Sequence, residues 1–183
     1  MTVTQQQYRF RAGDANSGFV RELWLLRERD VLELLMKPTP GIPLTVPSSA
    51  LVVNVGALLT HLVPPTRSAT AEVSATTGNR AGVVYESRIE LTLPKPGEPL
   101  LRYLYEQRHE RWLVIFRDYN AQAWLAGVPG NGLRMGLTTS TSTLRLSLAG
   151  RNDLPFLPLE TADPAALFPD AAFDYSFDLS FDS

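Results

Sequence analysis

Residues 111–128, "RWLVIFRDYNAQAWLAGV", decide the reading of the fold. Trp112 to Phe116 is an unbroken apolar run short enough for one strand, and a strand without alternation is covered on both faces. Asp118–Asn120 then supply turn chemistry, and the chain returns in a second strand through Trp124. The "VPGNG" at 128–132 is a loop signal. Beyond it, "LRMGLTT" places Leu133, Met135 and Leu137 on one face, and "TLRLSLAG" does the same with Leu144, Leu146 and Leu148. A run of short strands joined by turns predicts a mainly antiparallel system.

Working backwards, "KPGEPLLRYLYEQRHERW" is the one strong helix, over about 98–109. Pro99 suits its first turn, Leu100, Leu101, Leu104 and Tyr105 form an apolar stripe, and Arg108, His109 and Arg111 sit where the helix dipole favours positive charge. Before it, Val83–Leu93 alternates and stops at Pro94, as a strand should. The stretch from Thr66 to Gly82, "TRSATAEVSATTGNRAG", carries too little side chain to hold itself and reads as a long loop or extended hairpin projecting from the body. "LTVPSSALVVNVGALLTHLVPP" (44–65) reads as strand then helical turn. In "VRELWLLRERDVLELLMKP", Leu23, Trp24, Arg27, Val31, Leu34 and Leu35 also suit a helical period, but two strands at 20–27 and 31–36, turning at Glu28–Asp30, are preferred.

These elements give an α+β, mainly β fold: an antiparallel β-sandwich or partly closed barrel with one flanking helix, spanning 19–153. An N-terminal arm (1–18) precedes it. A Pro-rich connector and C-terminal strand (154–183) follow, ending "FDYSFDLSFDS". There Phe173, Tyr175, Phe177, Leu179 and Phe181 alternate with Asp and Ser, so the segment has one apolar and one polar face.

The 183 residues include 44% hydrophobic and 20% charged side chains, which suits a folded domain. Absence of cysteine excludes disulfides and thiolate chemistry. All 17 Lys and Arg lie at or before Arg151, whereas seven acids follow it, so an acidic tail of about −7 trails a body of about +5. The tail lies on a basic surface or is solvated. No secretory leader or membrane-length apolar run is read, which predicts a protein made in the cytoplasm without membrane insertion.

Chemistry is sparse. His61 and His109 have no companions at ligand spacing and are read as structural. The carboxylates of "ELWLLRERDVLE" alternate with Arg and are read as exposed salt bridges. No phosphate-loop, dinucleotide, nucleophile-elbow or zinc-protease pattern occurs, and no cofactor or metal is expected. Arg residues scattered singly among acids, without interleaved aromatics, argue against sequence-specific nucleic-acid binding.

The stretches "SGFVRELWLL" (17–26), "ERWLVIFRDYNAQAWLAGVPGNGLRM" (110–135) and "LRLSLAGRNDLPFLPL" (144–159) resemble small structural proteins of tailed-phage and phage-like tail modules. The family's hairpin motif d-x-x-G-x-x-x-L-L-G corresponds to "DYNAQAWLAG", with Ala121 where glycine is usual. The resemblance implies a non-enzymatic virion protein of the tail-tube type. It implies a homo-oligomeric, typically hexameric ring that meets other tail or neck proteins and touches DNA only as DNA passes through the lumen. Tail-terminator and head–tail connector proteins share that fold. On this reading Phe173, Tyr175, Phe177, Leu179 and Phe181 are interface anchors, unless the strand returns to its own sheet as an edge. The rivals are a monomeric β-barrel that binds an apolar ligand near Trp112 or Trp124, and, less favoured, an enzyme without recognisable motifs.

Overall fold

The computed structural model describes residues 18–36, 44–79, 82–94, 97–140 and 142–168. The expected interface residues Phe173, Tyr175, Phe177, Leu179 and Phe181, and the arm before Gly18, lie outside these.

The deciding stretch is the hub. Its first strand, Arg111–Asp118, pairs with Val20–Arg27 on one side and Ala123–Ala126 on the other, and at its start with Leu133–Thr139, antiparallel throughout. In chain order the strands are β1 Val20–Arg27, β2 Val31–Leu34, β3 Leu51–Val53, β4 Leu59–Leu62, β5 Ala69–Asn79 and β6 Gly82–Pro94. After helix α1 (Glu98–Glu106) come β7 Arg111–Asp118, β8 Ala123–Ala126, β9 Leu133–Thr139, β10 Thr143–Asn152 and β11 Leu157–Pro158. The order β5-β6-β10-β9-β7-β1 returns on itself, because Phe19 just before β1 bridges Thr70 of β5. The result is a partly closed barrel with β8 and β11 extending one wall, β4 on the outer side of β1, and one flanking helix.

The unbroken run at 112–116 now has its physical reason. Trp112, Val114 and Phe116 point into the barrel with Leu23, Leu25, Ile89, Leu91, Leu133 and Leu146, beneath Leu100 and Leu104 of α1. Leu113 and Ile115 point the other way, into a second core with Trp24, Leu26, Leu51, Leu125, Leu157 and Phe168. A strand between two cores has no solvent face, so alternation disappears from its sequence.

The two strands expected at 20–36 form, turning through a 3-10 turn at Glu28–Asp30, although the second stops at Leu34. Two expectations are corrected, and a third is decided between its alternatives. Residues 44–65 hold two strands, β3 and β4, and no helical turn; the tight turn at Asn54–Ala57, with Gly56 at φ 81, reverses the chain between them. The helix ends at Glu106 rather than 109, where Arg108 donates its side-chain N–H to the Tyr105 carbonyl at 2.8 Å. Of the two readings of 66–82, the extended hairpin is the one found: most of the stretch is strand β5, whose backbone pairs with β6 and whose first small residues, Ala69 and Ala71, tuck against the barrel core. A strand can be held by its ladder when its side chains bury little.

The Pro-rich stretch is packed, extended at first and closing in a 3-10 turn at Pro164–Leu167: Leu157, Leu159, Leu167 and Phe168 are buried, and Val46 and Leu159 form a parallel bridge. At the β7–β8 hairpin, Ala121 adopts a left-handed backbone with φ 63. That conformation is the one glycine occupies freely and alanine at a cost.

Candidate assembly surface

Strands β9, β10, β6 and β5 form a four-stranded wall whose inner face closes the barrel and whose outer face is exposed and polar. Its rows follow from the register: Arg151, Glu86 and Ser74; Arg134, Ala149, Arg88 and Glu72; Gly136, Ser147, Glu90 and Thr70; Thr138, Arg145 and Thr92. Arg88 pairs with Glu90, and Arg151 with Glu86 at 2.7 Å. Small residues dominate between the charges. A Cβ on Gly136 would stand 2.6 Å from Ser147 Oγ, so the serine already fills that space.

Both margins of this wall carry open backbone. Thr92 N–H donates to the Ser68 carbonyl at 2.9 Å, which marks Ser68/Thr92 as a hydrogen-bonded pair. Antiparallel pairs alternate, so Thr70, Glu72, Ser74 and Thr76 bond towards β6, while Ala71, Val73 and Ala75 point their N–H and C=O outward. Ala71 shows this directly, donating outward to the Gly18 carbonyl at 3.2 Å. Beyond it, β5 has no second strand neighbour among the described residues. On the other margin, Ser140 N–H bonds the Thr143 carbonyl at 2.8 Å, so Thr138 and Gly136 bond towards β10, and Met135, Leu137 and Thr139 face outward. β7 covers only Leu133 and Arg134 of β9.

At the inner foot of the β5 margin lies an open, mostly apolar cleft of about 230 Å³, lined by Phe19, Val20, Ala71, Val73, Phe116, Trp124 and Phe156, with Gly18 and Asp118. Phe116 and Phe156 meet edge to face at 5.1 Å. Asp118 is buried, and its carboxylate accepts from Asn120 N–H (2.8 Å), Gln122 N–H (3.0 Å) and Trp124 Nε1–H (3.2 Å). Those bonds fix the β7–β8 turn and hold the Trp124 ring at the cleft wall. Past the cleft the inner face of the hairpin remains apolar and exposed, with Val73 39% and Val83 43% accessible.

Several other titratable groups are engaged in structure. His61 stacks on Trp24 with ring centroids 4.6 Å apart, its Nε2 3.6 Å from Glu22, which also pairs with Arg117. Arg27 holds Asp30 at 2.7 Å and Arg29 holds Glu110 at 2.9 Å. Of the "ELWLLRERDVLE" carboxylates, Glu22 and Asp30 are ion-paired as expected but largely buried rather than exposed, while Glu28 accepts from Gly132 N–H at 3.2 Å. Tyr103 of α1 shares a 2.7 Å hydrogen bond with Thr60 of β4, and burial raises its phenol pKa above the ordinary 10.0, against the lowering effect of that bond. Of the two tryptophans expected near a cavity, Trp124 lines the cleft and Trp112 is fully buried in the core. Among the described residues, no group of three or more His, Cys, Asp or Glu is placed to hold a metal, and no helix is long and apolar enough to cross a membrane.

The sequence left the β5 margin undecided between loop and hairpin, because a strand of Ala, Thr and Ser shows no hydrophobic period. Its signal was the length match between that stretch and the well-patterned strand after it. No family model, curated protein or solved structure matches the chain.

Proposed function

We propose that this protein is a structural subunit of a phage or phage-like tail that assembles into rings or a tube through its sheet edges and arms. The observation that carries the reading is the four-stranded wall, which among the described residues is open along both margins and bare on one polar face. An exposed edge of this length invites another strand, and monomeric proteins ordinarily blunt such edges. Two different open margins on one wall make a heterologous contact, which closes into a ring when the rotation per subunit permits. The bare face, nearly balanced in charge and built from small residues, suits the lining of a conduit through which DNA passes without adhering.

A hexameric ring in a virion tail, touching neighbouring tail or neck proteins, is the form we favour; a terminator or connector would use the same margins. The role is non-catalytic on this reading, since Asp118, Glu22, Asp30 and His61 are tied into structural contacts. A ligand-binding monomer is less well supported, because a cleft of about 230 Å³ falls below the usual range for small-molecule sites. Light scattering across a concentration series, with negative-stain microscopy of the same fractions, tests the proposal. Rings or tubes are expected. A species that stays at the 20.3 kDa monomer mass at high concentration would count against it.

A further inference from the structure

We propose that the β5 margin and its cleft receive residues 173–181, "FDYSFDLSF", from a second copy of this chain, which add to β5 as one more strand. The inference deepens the assembly reading and depends on it. Three observations support it.

The first is length. Among the described residues β5 is open from Glu72 to Asn79, about the span of the terminal segment, whereas β9 is open only from Met135 to Thr139 and β4 is four residues long. The second is the match of faces. Outward-pointing Val73 and Ala75 lie on an apolar side that continues into the aromatic cleft, while Glu72, Ser74 and Thr76 lie on the polar side. A strand alternating Phe, Tyr, Phe, Leu, Phe with Asp and Ser keeps both faces when added there, burying its aromatic row over the cleft and leaving Asp and Ser in water. The third concerns which copy supplies it. Phe168, the last described residue, is buried in the second core, whereas Phe116 and Trp124 of the cleft belong to the barrel side of the same strands. Only residues 169–172 would be left to carry the chain round the sheet to its own cleft, and the five steps from Phe168 to Phe173 reach about 18 Å when fully extended.

Amide hydrogen exchange on the full chain in its assembled form tests the assignment. The wild type is compared with a Phe173→Ser/Phe177→Ser variant, and the β6 and β10 amides of Ile89 and Leu146 report on the barrel. Val73 and Ala75 N–H are expected to be protected in the wild type and to exchange about tenfold faster or more in the variant, with Ile89 and Leu146 unchanged. Open-strand exchange at Val73 and Ala75 in wild-type assemblies would overturn the inference. So would protection that survives the double substitution, although assembly through another strand would then still stand. Protection that persists after dilution to monomers would assign the strand to the same chain and overturn the second-copy assignment. Failure of the assembly reading itself shows separately, as the absence of assemblies in light scattering.

Discussion

Ala75→Pro separates the edge from the fold. Ala75 is exposed, and by the alternation of β5 its N–H points away from β6, so proline there removes no bond of the described sheet. The monomer should lose less than about 1 kcal/mol, mainly from adapting φ to the ring. An incoming strand loses more. It forfeits the hydrogen bond to Ala75 N–H, about 1 kcal/mol net, and the pyrrolidine ring holds it off so that neighbouring bonds at Val73 weaken as well. A total of about 2–3 kcal/mol per contact lowers the association constant by about 30- to 150-fold, and a ring feels that loss at every junction. Ser74→Pro is the matched contrast, because its N–H points inward to the Glu86 carbonyl and its loss breaks the β5–β6 ladder. The assay pairs light scattering with urea unfolding of each variant. Ala75→Pro should leave the unfolding midpoint almost unchanged while dissolving assemblies; Ser74→Pro should lower the midpoint. Assemblies of Ala75→Pro that persist at wild-type concentration would refute the edge argument.

Three further outcomes are expected. Asp118→Ala strands three donors at the β7–β8 turn and should cost about 2–4 kcal/mol in urea unfolding, with Asp118→Asn milder because its carbonyl oxygen still accepts. Ala121→Gly relieves the left-handed backbone and should stabilise by about 0.5–1 kcal/mol, read as a higher unfolding midpoint; no gain would mean the turn is unstrained. Because the folded state holds the Tyr103 phenol above 10.0, its contribution to stability is complete below pH 10.0 and is lost as pH rises through the higher folded value. Tyr103→Phe should therefore flatten the alkaline limb of the stability profile while removing the Thr60 bond, and an unchanged limb would place the alkaline transition elsewhere.

Strands with strong period or strong apolar character were legible from sequence: β1, β2, β6, β7, β8, β9 and β10 lie where their patterns put them, as does α1 apart from its last turn. The misses share a cause. β3 and β4 are short strands flanking a turn, and a helical turn and a tight reversal at Asn54–Ala57 look alike in a run such as "VVNVGALL". β5 was left undecided between loop and hairpin because its stability comes from a backbone ladder, and side-chain patterns do not report ladders. The packing of Leu157, Leu159, Leu167 and Phe168 was hidden because proline spacing breaks the period that burial would otherwise impose.

The same blindness shaped the view of the assembly surface. Sequence reading singled out the terminal aromatic alternation but not a place where it could fit, since an edge consists of N–H and C=O groups that every residue carries. Geometry supplies what composition cannot. β7 and β8, clamped between two cores, form the stiff part of the molecule, whereas β5 and β6 run past the barrel with one apolar face open. Stiffness and openness are thus divided between two walls of one barrel. A subunit whose open wall changes partners while its clamped wall keeps its shape can join copies without repacking its core. That division predicts that edge substitutions such as Ala75→Pro and second-core substitutions such as Ile115→Ala will act additively, because they load separate walls.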